Sequence, residues 1–354
     1  MNNNFSSINN FDAVAIGSGL ITLDIIINDT NNKYLTICVG GSCGNVLSIL
    51  SYFKWSSYPV AYMGKDIASN FIIRDLSYWK VNTNLMYFDD NISTPIIIEK
   101  VYNNNDITHK FEFKCPYCGS DLPRNRFIPK RYLPEIIKKM PSSDIFYFDR
   151  ISKTIIEIAE IQKKYGALVF FEPYKITKER LFKKCLKIAH IVKYSGEQIK
   201  QIPYDIKIPL EIKTLGELGL KYKINTDENK EDEWIKLKAY NHNDIIDSAG
   251  AGDWCTAGII HAIGQNGSEG LLNASEAQIK NAIKFGQYLA SINCKYLGAR
   301  GMMYNIKTSD IKKINNNSYF SIKKLDVISK ENPITKNYDY LKFLCPFCKN
   351  NNKK

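Results

Sequence analysis

A glycine-rich turn that ends in an acidic residue is the strongest chemical signal in this sequence. The string Asp247-Ser248-Ala249-Gly250-Ala251-Gly252-Asp253 leads into a run of small and apolar residues at 254–260. Glycines let the backbone turn so that several amide N–H groups point at one spot, and such a turn at the start of a helix binds anions. A carboxylate beside that anion can accept a proton from an attacking hydroxyl group while the amides stabilise a transferred phosphoryl group.

This chemistry makes Asp253 a candidate general base. Gly250, Ala251 and Gly252 are the candidate turn that stabilises the phosphoryl group. The alternative interpretation is a tight loop in which Asp253 only caps a helix.

Two Cys-x-x-Cys pairs form the second chemical signal. They are Cys115-Pro116-Tyr117-Cys118 and Cys345-Pro346-Phe347-Cys348. Each spacing lets two thiolates bind one ion, and two such pairs make a tetrahedral zinc site with four cysteine ligands. The four cysteines are therefore predicted to hold a structural Zn²⁺, with no coordination position open for catalysis. The alternative is a pair of redox or unrelated thiols.

The elements that position these residues are predicted from the apolar pattern. Short apolar runs alternate with longer helical patterns, which indicates an α/β protein with a mostly parallel sheet covered on both faces. Strands are predicted at 13–16, 145–148, 168–171 and 191–193, and helices at 154–165 and 274–293. Between 85 and 113 the pattern changes to a hairpin, with strands at 94–102 and 108–114 around a turn rich in asparagine. We interpret this segment as a small β-flap.

The string that ends at Asp253 resembles the signature of the ribokinase-like sugar kinases, the PfkB family. Four more segments resemble motifs of that family, in the family's order: Gly19-Leu20-Ile21-Thr22-Leu23-Asp24, Val39-Gly40-Gly41-Ser42-Cys43-Gly44-Asn45-Val46, Met63-Gly64-Lys65-Asp66 and Thr214-Leu215-Gly216-Glu217-Leu218-Gly219. The resemblance implies a ribokinase-like sandwich with a mostly parallel central sheet, helices on both faces and a small β-flap, or lid.

The domain boundaries follow from this resemblance and from the cysteine pairs. We expect a kinase domain at 11–301, with the lid at about 85–114 and a zinc knuckle at 115–119. We expect a C-terminal tail at 302–354 that folds back through 345–348 onto the knuckle.

The resemblance also implies roles for individual residues. Asp24, Gly40, Gly41 and Asn45 would contact substrate hydroxyl groups, and Thr214, Gly216 and Gly219 would line the nucleotide site. The implied function is ATP-dependent phosphorylation of a hydroxymethyl group on a sugar or sugar-like substrate, with a nucleoside as the other candidate acceptor. ATP and Mg²⁺ are the implied cofactors, because paired phosphate oxygens need a hard cation.

Two segments depart from the family pattern. The family's N-x-x-E motif, whose glutamate helps hold water around Mg²⁺, corresponds here to Ser195-Gly196-Glu197-Gln198, so Glu197 would substitute from a neighbouring position. The Asp, Asn and Arg that many sugar-specific relatives carry are replaced by the sequence Glu172-Pro173-Tyr174-Lys175-Ile176, which weakens an assignment to fructose or a keto-sugar acid. Arg300 has two interpretations, a stabiliser near the phosphates or a surface residue.

The charged residues limit the classes of binding partner that we expect. The net charge is +12, yet only seven of the 48 basic residues are arginines. Lysine lacks the forked guanidinium group with which arginine makes paired hydrogen bonds to bases and phosphates. A nucleic-acid partner is therefore not expected. The rival hypothesis is a noncatalytic sugar or nucleotide sensor whose zinc knuckle binds nucleic acid or protein.

The remaining expectations concern location and assembly. No uncharged apolar run approaches the length of a membrane helix, so no membrane partner is expected. An odd number of cysteines, nine, indicates a reducing cytoplasm rather than a secreted disulfide scaffold. Flaps of this kind can pair two chains into a homodimer, and the zinc-bound tail is the other candidate to cover that surface.

Overall fold

The structure is a computed structural model that describes residues 13–28, 34–104, 106–225, 233–240, 244–311 and 334–351. Several parts of the predicted domains lie outside these ranges: residues 11, 12, 29–33, 226–232 and 241–243 of the kinase domain, Asn105 of its hairpin turn, and residues 312–333 and 352–354 of the tail.

The strands are β1 (Val14–Ser18), β2 (Thr22–Asn28), β3 (Tyr34–Gly40), β4 (Ser56–Pro59), β5 (Ala61–Gly64), β6 (Met86–Asp89), β7 (Ile96–Asn104), β8 (Asp106–Glu112), β9 (Ile145–Phe148), β10 (Leu168–Phe171), β11 (Ile191–Ser195), β12 (Leu210–Thr214), β13 (Leu220–Ile224), β14 (Ile235–Leu237) and β15 (Ile334–Asn337). The helices are α1 (Ser42–Tyr52), α2 (Ile67–Tyr78), α3 (Leu133–Lys139), α4 (Lys153–Lys164), α5 (Glu179–Ile188), α6 (Ala251–Ile263), α7 (Gly267–Leu272), α8 (Glu276–Asn293), α9 (Gly301–Asn305), α10 (Leu341–Leu344) and α11 (Pro346–Asn351).

An eight-stranded sheet forms the centre of the molecule, in the order β14-β13-β12-β11-β10-β9-β1-β4. It is parallel from β4 to β12, and β13 and β14 continue it antiparallel. Every residue of β9 and β10 is buried, as expected for strands covered on both faces. Alternate side chains enter two separate cores: Tyr147 and Phe170 pack in one, and Phe148 and Phe171 pack in the other. The predicted mostly parallel α/β sheet is confirmed.

The lid is a second sheet of five strands, in the order β15-β3-β2-β7-β8. We call it the lid sheet. The predicted segment 85–114 supplies only β7 and β8, while β2 and β3 come from the N-terminal region and β15 from the tail. The sequence pattern missed these strands because β2 pairs with β7 much further along the chain, and such long-range pairing leaves no local signal. The stretch 86–89 is also not part of the lid sheet, since β6 pairs with β5 in a separate two-stranded sheet.

Helices α6 and α8 pack closely against each other, and the start of α6 lies beside Lys193 of β11 in the central sheet. Gly258 and Gly286 lie where the two helices meet, because a Cβ atom on Gly258 would stand 2.7 Å from the Cα of Gly286. Helix α8 begins at Glu276, two residues after its predicted start, because Ser275 caps it in a reciprocal capping box with Gln278. Among the described residues, no helix is both long and apolar enough to cross a membrane.

Candidate active site

The glycine turn lies directly before helix α6. Gly250 adopts a left-handed conformation (φ 72°), and a Cβ atom there would stand 2.4 Å from the carbonyl oxygen of Ala299. Asp247 shapes the turn, since its two carboxylate oxygens accept hydrogen bonds of 2.8 Å from the amides of Ala249 and Gly298. The amide of Ala251 donates to the carbonyl of Ser248 at 3.3 Å within the turn. The amides of Gly252 and Asp253 belong to the first helical turn, where N–H groups have no acceptor inside the helix.

Asp253 is buried and is held by a residue from the other end of the chain. Its Oδ2 accepts a 2.7 Å hydrogen bond from Nδ2 of Asn45 on helix α1. Burial, followed by the nearby carboxylate of Glu172, raises the pKa of Asp253 to about 8, although Asn45 and Lys193 act to lower it. Among the described residues, Oδ1 of Asn45 has no hydrogen-bond partner. The structure therefore places a predicted substrate-binding residue in direct contact with the predicted base.

An ion pair between a buried lysine and a partly exposed glutamate lies beside the turn, and no motif in the sequence predicted it. Lys193 on β11 is 2% exposed, and its Nζ pairs with Oε1 of Glu172, which follows β10. The other oxygen of Glu172 accepts hydrogen bonds from Thr256 Oγ1 at 2.7 Å and from Tyr147 at 3.2 Å. Burial acts to lower the pKa of Lys193, but Glu172 and other neighbouring groups outweigh it and the pKa is raised.

This lysine is close to the glycine turn. A Cβ atom on Gly252 would stand 3.8 Å from Lys193 Nζ. A lysine in the middle of the otherwise apolar run 191–194 was the signal that could have revealed the pair, because lysine is almost never fully buried without a partner.

Asp149 is a second acid that the sequence motifs did not predict. It follows β9 and is buried, with its Oδ1 accepting a 2.8 Å hydrogen bond from the amide of Leu20 and its Oδ2 pairing with Arg150 at 3.0 Å. Burial raises the pKa of Asp149. Only glycine fits at position 19, because a Cβ atom there would stand 1.5 Å from Asp149 Oδ1.

The other predicted substrate-binding residues meet where the lid sheet joins helix α1. Asp24 on β2 accepts a 2.6 Å hydrogen bond from Thr22 Oγ1, and burial raises its pKa to about 6. A Cβ atom on Gly40 would stand 1.7 Å from Asp24 Oδ2, so this glycine admits the carboxylate. Gly41 has a φ of 76° and its carbonyl accepts the amide of Asn45 at 2.8 Å. Asp24 therefore packs against Gly40, and the short chain segment from Gly40 to Asn45 leads to the hydrogen bond with Asp253.

The predicted nucleotide turn lies at the carboxyl end of β12. Thr214 stands opposite Ser195 in the parallel register of β12 and β11. Gly216 and Gly219 both have positive φ, 58° and 95°, and the amide of Leu215 closes the turn by donating to Gly219 at 2.8 Å. Oε1 of Glu197 lies 3.7 Å from the place where a Cβ atom on Gly216 would stand. The structure therefore brings Glu197 next to this turn.

Arg300 is not a surface residue. It is 2% exposed and its Nη2 pairs with Oδ2 of Asp75 on helix α2. The same oxygen accepts a 2.6 Å hydrogen bond from the amide of Val39 on β3. The guanidinium needs this partner because it is fully desolvated, and the pair links α9, α2 and the lid sheet.

The four cysteines of the two Cys-x-x-Cys pairs lie together, with all four sulfur atoms within 4.8 Å of one another. We call them the cysteine cluster. Sγ of Cys115 is 3.6 Å from that of Cys348, and Sγ of Cys118 is 3.7 Å from that of Cys345. A tetrahedral zinc ion with Zn–S bonds of about 2.3 Å requires sulfur atoms roughly 3.8 Å apart. The donor set and its spacing therefore fit Zn²⁺.

Comparisons with known proteins agree with this architecture. A scan against protein-family models found no match, and neither did a search of curated proteins. Among solved structures, the chain is similar to ribokinase from Giardia lamblia, with a TM-score of 0.67, 14% identity, and coverage of 86% of this chain and 99% of that one.

Two further kinases are similar. Fructokinase from Xylella fastidiosa with bound ATP has a TM-score of 0.65 and 14% identity, over 87% of this chain and 100% of that one. Aminoimidazole riboside kinase from Salmonella enterica, complexed with aminoimidazole riboside and an ATP analogue, has a TM-score of 0.60 and 16% identity, over 84% and 99%. The chain therefore has the ribokinase-like fold of these kinases, as its motifs predicted.

Proposed function

We propose that this protein is an ATP-dependent kinase that phosphorylates a hydroxymethyl group of a sugar or sugar-like substrate. The observation that supports this most strongly is the position of Asp253, a buried acid in the first turn of α6 directly after the glycine turn. The fold that the chain shares with fructokinase, ribokinase and a riboside kinase supports the same reaction class.

In the proposed reaction, Asp253 accepts the proton of the acceptor hydroxyl group. Asn45 Nδ2 orients the carboxylate, and its Oδ1 is available to accept a hydrogen bond from the substrate. The amides of the glycine turn stabilise the charge on the phosphoryl group during transfer. Lys193 lies beside this turn with its charge paired to Glu172, and we expect it to stabilise the negative charge of the phosphate groups.

The nucleotide would bind along the turn from Thr214 to Gly219. Glu197 lies beside this turn and is exposed, so it can hold a water molecule of a hydrated Mg²⁺ ion in place of the family's glutamate. Mg²⁺, entering with the phosphates, would neutralise their charge. Asp24, Gly40 and Gly41 would contact the acceptor's other hydroxyl groups from the lid side.

A coupled ATPase assay over a panel of sugars and nucleosides tests this function. Asp253→Asn is expected to lower kcat by about 10²–10⁴-fold, because general-base catalysis contributes that much. Asp205→Asn, which changes an exposed carboxylate, is the matched control and is expected to retain full activity. Full turnover by Asp253→Asn would rule out its role as base. Salt-dependent binding to RNA or DNA without phosphoryl transfer would support the sensor hypothesis instead.

We also propose that the cysteine cluster binds a structural Zn²⁺. The purified chain is expected to contain about one zinc ion per molecule, because four thiolates at this spacing saturate a tetrahedral ion. Metal analysis by mass spectrometry checks this, and Cys185→Ala, outside the cluster, is expected to retain the metal. A chain without metal, in which all four thiols react freely, would contradict the proposal.

We expect a small sugar or nucleoside substrate, a homodimer through the lid sheet, and no nucleic acid. The cytoplasmic location that the cysteine count predicts stays a prediction.

A further inference from the structure

The tail covers one edge of the lid sheet. Strand β15 pairs antiparallel with β3 in the register Ile334↔Ile37 to Asn337↔Tyr34. The backbone groups on that side of β3 would otherwise form a free sheet edge. Beyond β15 the chain turns towards the opposite side of the sheet, where the knuckle follows β8.

The segment after β15 packs on the body of the molecule. Leu341 is fully buried, and the ring of Tyr340 makes an edge contact with Phe71 of helix α2 at 6.0 Å. On the knuckle, Tyr117 donates a 2.9 Å hydrogen bond to Asp339. The tail therefore contacts the lid sheet, α2 and the knuckle within one short segment.

This segment needs an external constraint to stay in place. The helices that it forms, α10 and α11, have four and six residues, which is far too short for an isolated helix to be stable. The sulfur atoms of Cys345 and Cys348 attach it to Cys115 and Cys118. A metal held by these thiolates contributes its binding free energy to folding of the segment.

Strand β3 also positions predicted substrate-binding residues. Asp24 lies opposite Cys38 in the β2–β3 register, and β3 ends at Gly40, which packs against the Asp24 carboxylate. A shift of β3 would therefore move Gly40 and Asp24 relative to each other. The glycine turn before α6 lies outside the lid sheet and is shaped by the hydrogen bonds of Asp247 to the amides of Ala249 and Gly298.

We propose that a zinc ion in the cysteine cluster braces the lid sheet through the tail and thereby positions Asp24 and Gly40 for the acceptor substrate. The part of this proposal that concerns acceptor binding rests on the proposed kinase function. Cys345 and Cys348, together with β15, are then positioning residues that act on acceptor binding and not on phosphoryl transfer.

Hydrogen exchange with mass spectrometry tests the brace in the full chain without any assay of activity. In Cys345→Ser/Cys348→Ser, the amides of β15 and β3 are expected to exchange about tenfold faster or more, while those of β9 and β10 keep their rates, because local opening spares the central sheet. Cys185→Ala on α5 is the matched control, since this buried thiol lies outside the cluster. Unchanged exchange in β3 would overturn the proposal.

Kinetics test the positioning role. The double variant is expected to raise the acceptor KM by about tenfold or more, while kcat at saturation and the KM for ATP change by less than about threefold. An unchanged acceptor KM, with faster exchange in β3, would overturn the positioning role. If the zinc-loaded chain transfers no phosphoryl group to any acceptor, the proposed kinase function is wrong. The exchange experiment still decides whether the cysteine cluster stabilises the lid sheet through the tail.

Reversible zinc removal covers the case in which the double variant does not fold. The unsubstituted chain is stripped with a chelator, assayed with added Mg²⁺, and then reloaded with Zn²⁺. Loss of β3 protection on stripping and its recovery on reloading are expected. Protection that does not respond to zinc would contradict the proposal.

Discussion

Two requirements on the Asp253 side chain oppose each other. A base must be ionised, yet its burial raises its pKa to about 8 in the free protein. The desolvated carboxylate is a stronger base than an exposed one, at the cost of being mostly protonated at neutral pH. Asn45 and Lys193 act to lower this pKa, and Glu172 acts to raise it. These neighbours therefore set the fraction of molecules in which Asp253 is ionised.

The pH dependence of kcat/KM follows from this balance. Because the base must be deprotonated, kcat/KM is expected to rise with pH and to level off above about pH 8. Glu172→Gln removes the carboxylate charge that raises the pKa of Asp253, so the rise is expected at lower pH. Steady-state rates from mildly acidic to alkaline pH, in a buffer of constant ionic strength, measure both curves.

Glutamine keeps the shape of the side chain and one accepting oxygen, which serves either Lys193 or the hydroxyl groups of Thr256 and Tyr147, while the negative charge is removed. Asp205→Asn is the control and is expected to leave the curve in place. A rise that stays at the same pH in Glu172→Gln would contradict the electrostatic argument.

At the scale of elements, the contact between α6 and α8 determines where Asp253 lies. Gly286→Ala introduces a Cβ atom 2.4 Å from the backbone oxygen of Cys255, two residues after the base. The helices must separate, and this is expected to lower the free energy of unfolding by about 1–3 kcal/mol, typical of overpacking. We also expect a lower kcat, because the first turn of α6 moves.

Chemical denaturation gives the stability, and the coupled assay gives kcat. Lys280→Ala, at an exposed position of the same helix, is the control and is expected to be close to neutral. A Gly286→Ala protein with the stability and kcat of the parent would show that the close approach of the helices does not position the base.

For the molecule as a whole, the proposed homodimer would use the outer edge of the lid sheet. At one edge of the lid sheet, β15 covers β3. At the other edge, β8 is the outermost of the described strands. Phe111 on β8 is 44% exposed and Phe113, just beyond it, is 50% exposed. We propose this side as the interface of the homodimer.

Phe111→Glu/Phe113→Glu is expected to convert the dimer to a monomer, because two charges would have to be buried in the interface. Sedimentation velocity at micromolar concentration measures the change. Tyr165→Glu, at the end of α4 and 68% exposed, is the control. A parent chain that is already monomeric would disprove the interface.

The sequence by itself determined the features that local patterns encode. Apolar runs of four residues predicted β9 and β10 at their observed bounds, because a strand buried on both faces has no polar positions. The glycine turn and the cysteine spacing were equally local, and the matching form of the two cysteine pairs was enough to associate 115 and 118 with 345 and 348.

Only the tertiary structure decided which distant residues meet. The contact of Asn45 with Asp253 joins positions 208 residues apart, and the pair of Lys193 with Glu172 depends on β11 and β10 being neighbours in a parallel sheet. The lid sheet likewise takes its strands from three separate parts of the chain. Parallel strands need long crossover connections, so the order of strands leaves no trace in the pattern of any one segment. That order placed the buried lysine beside the glycine turn.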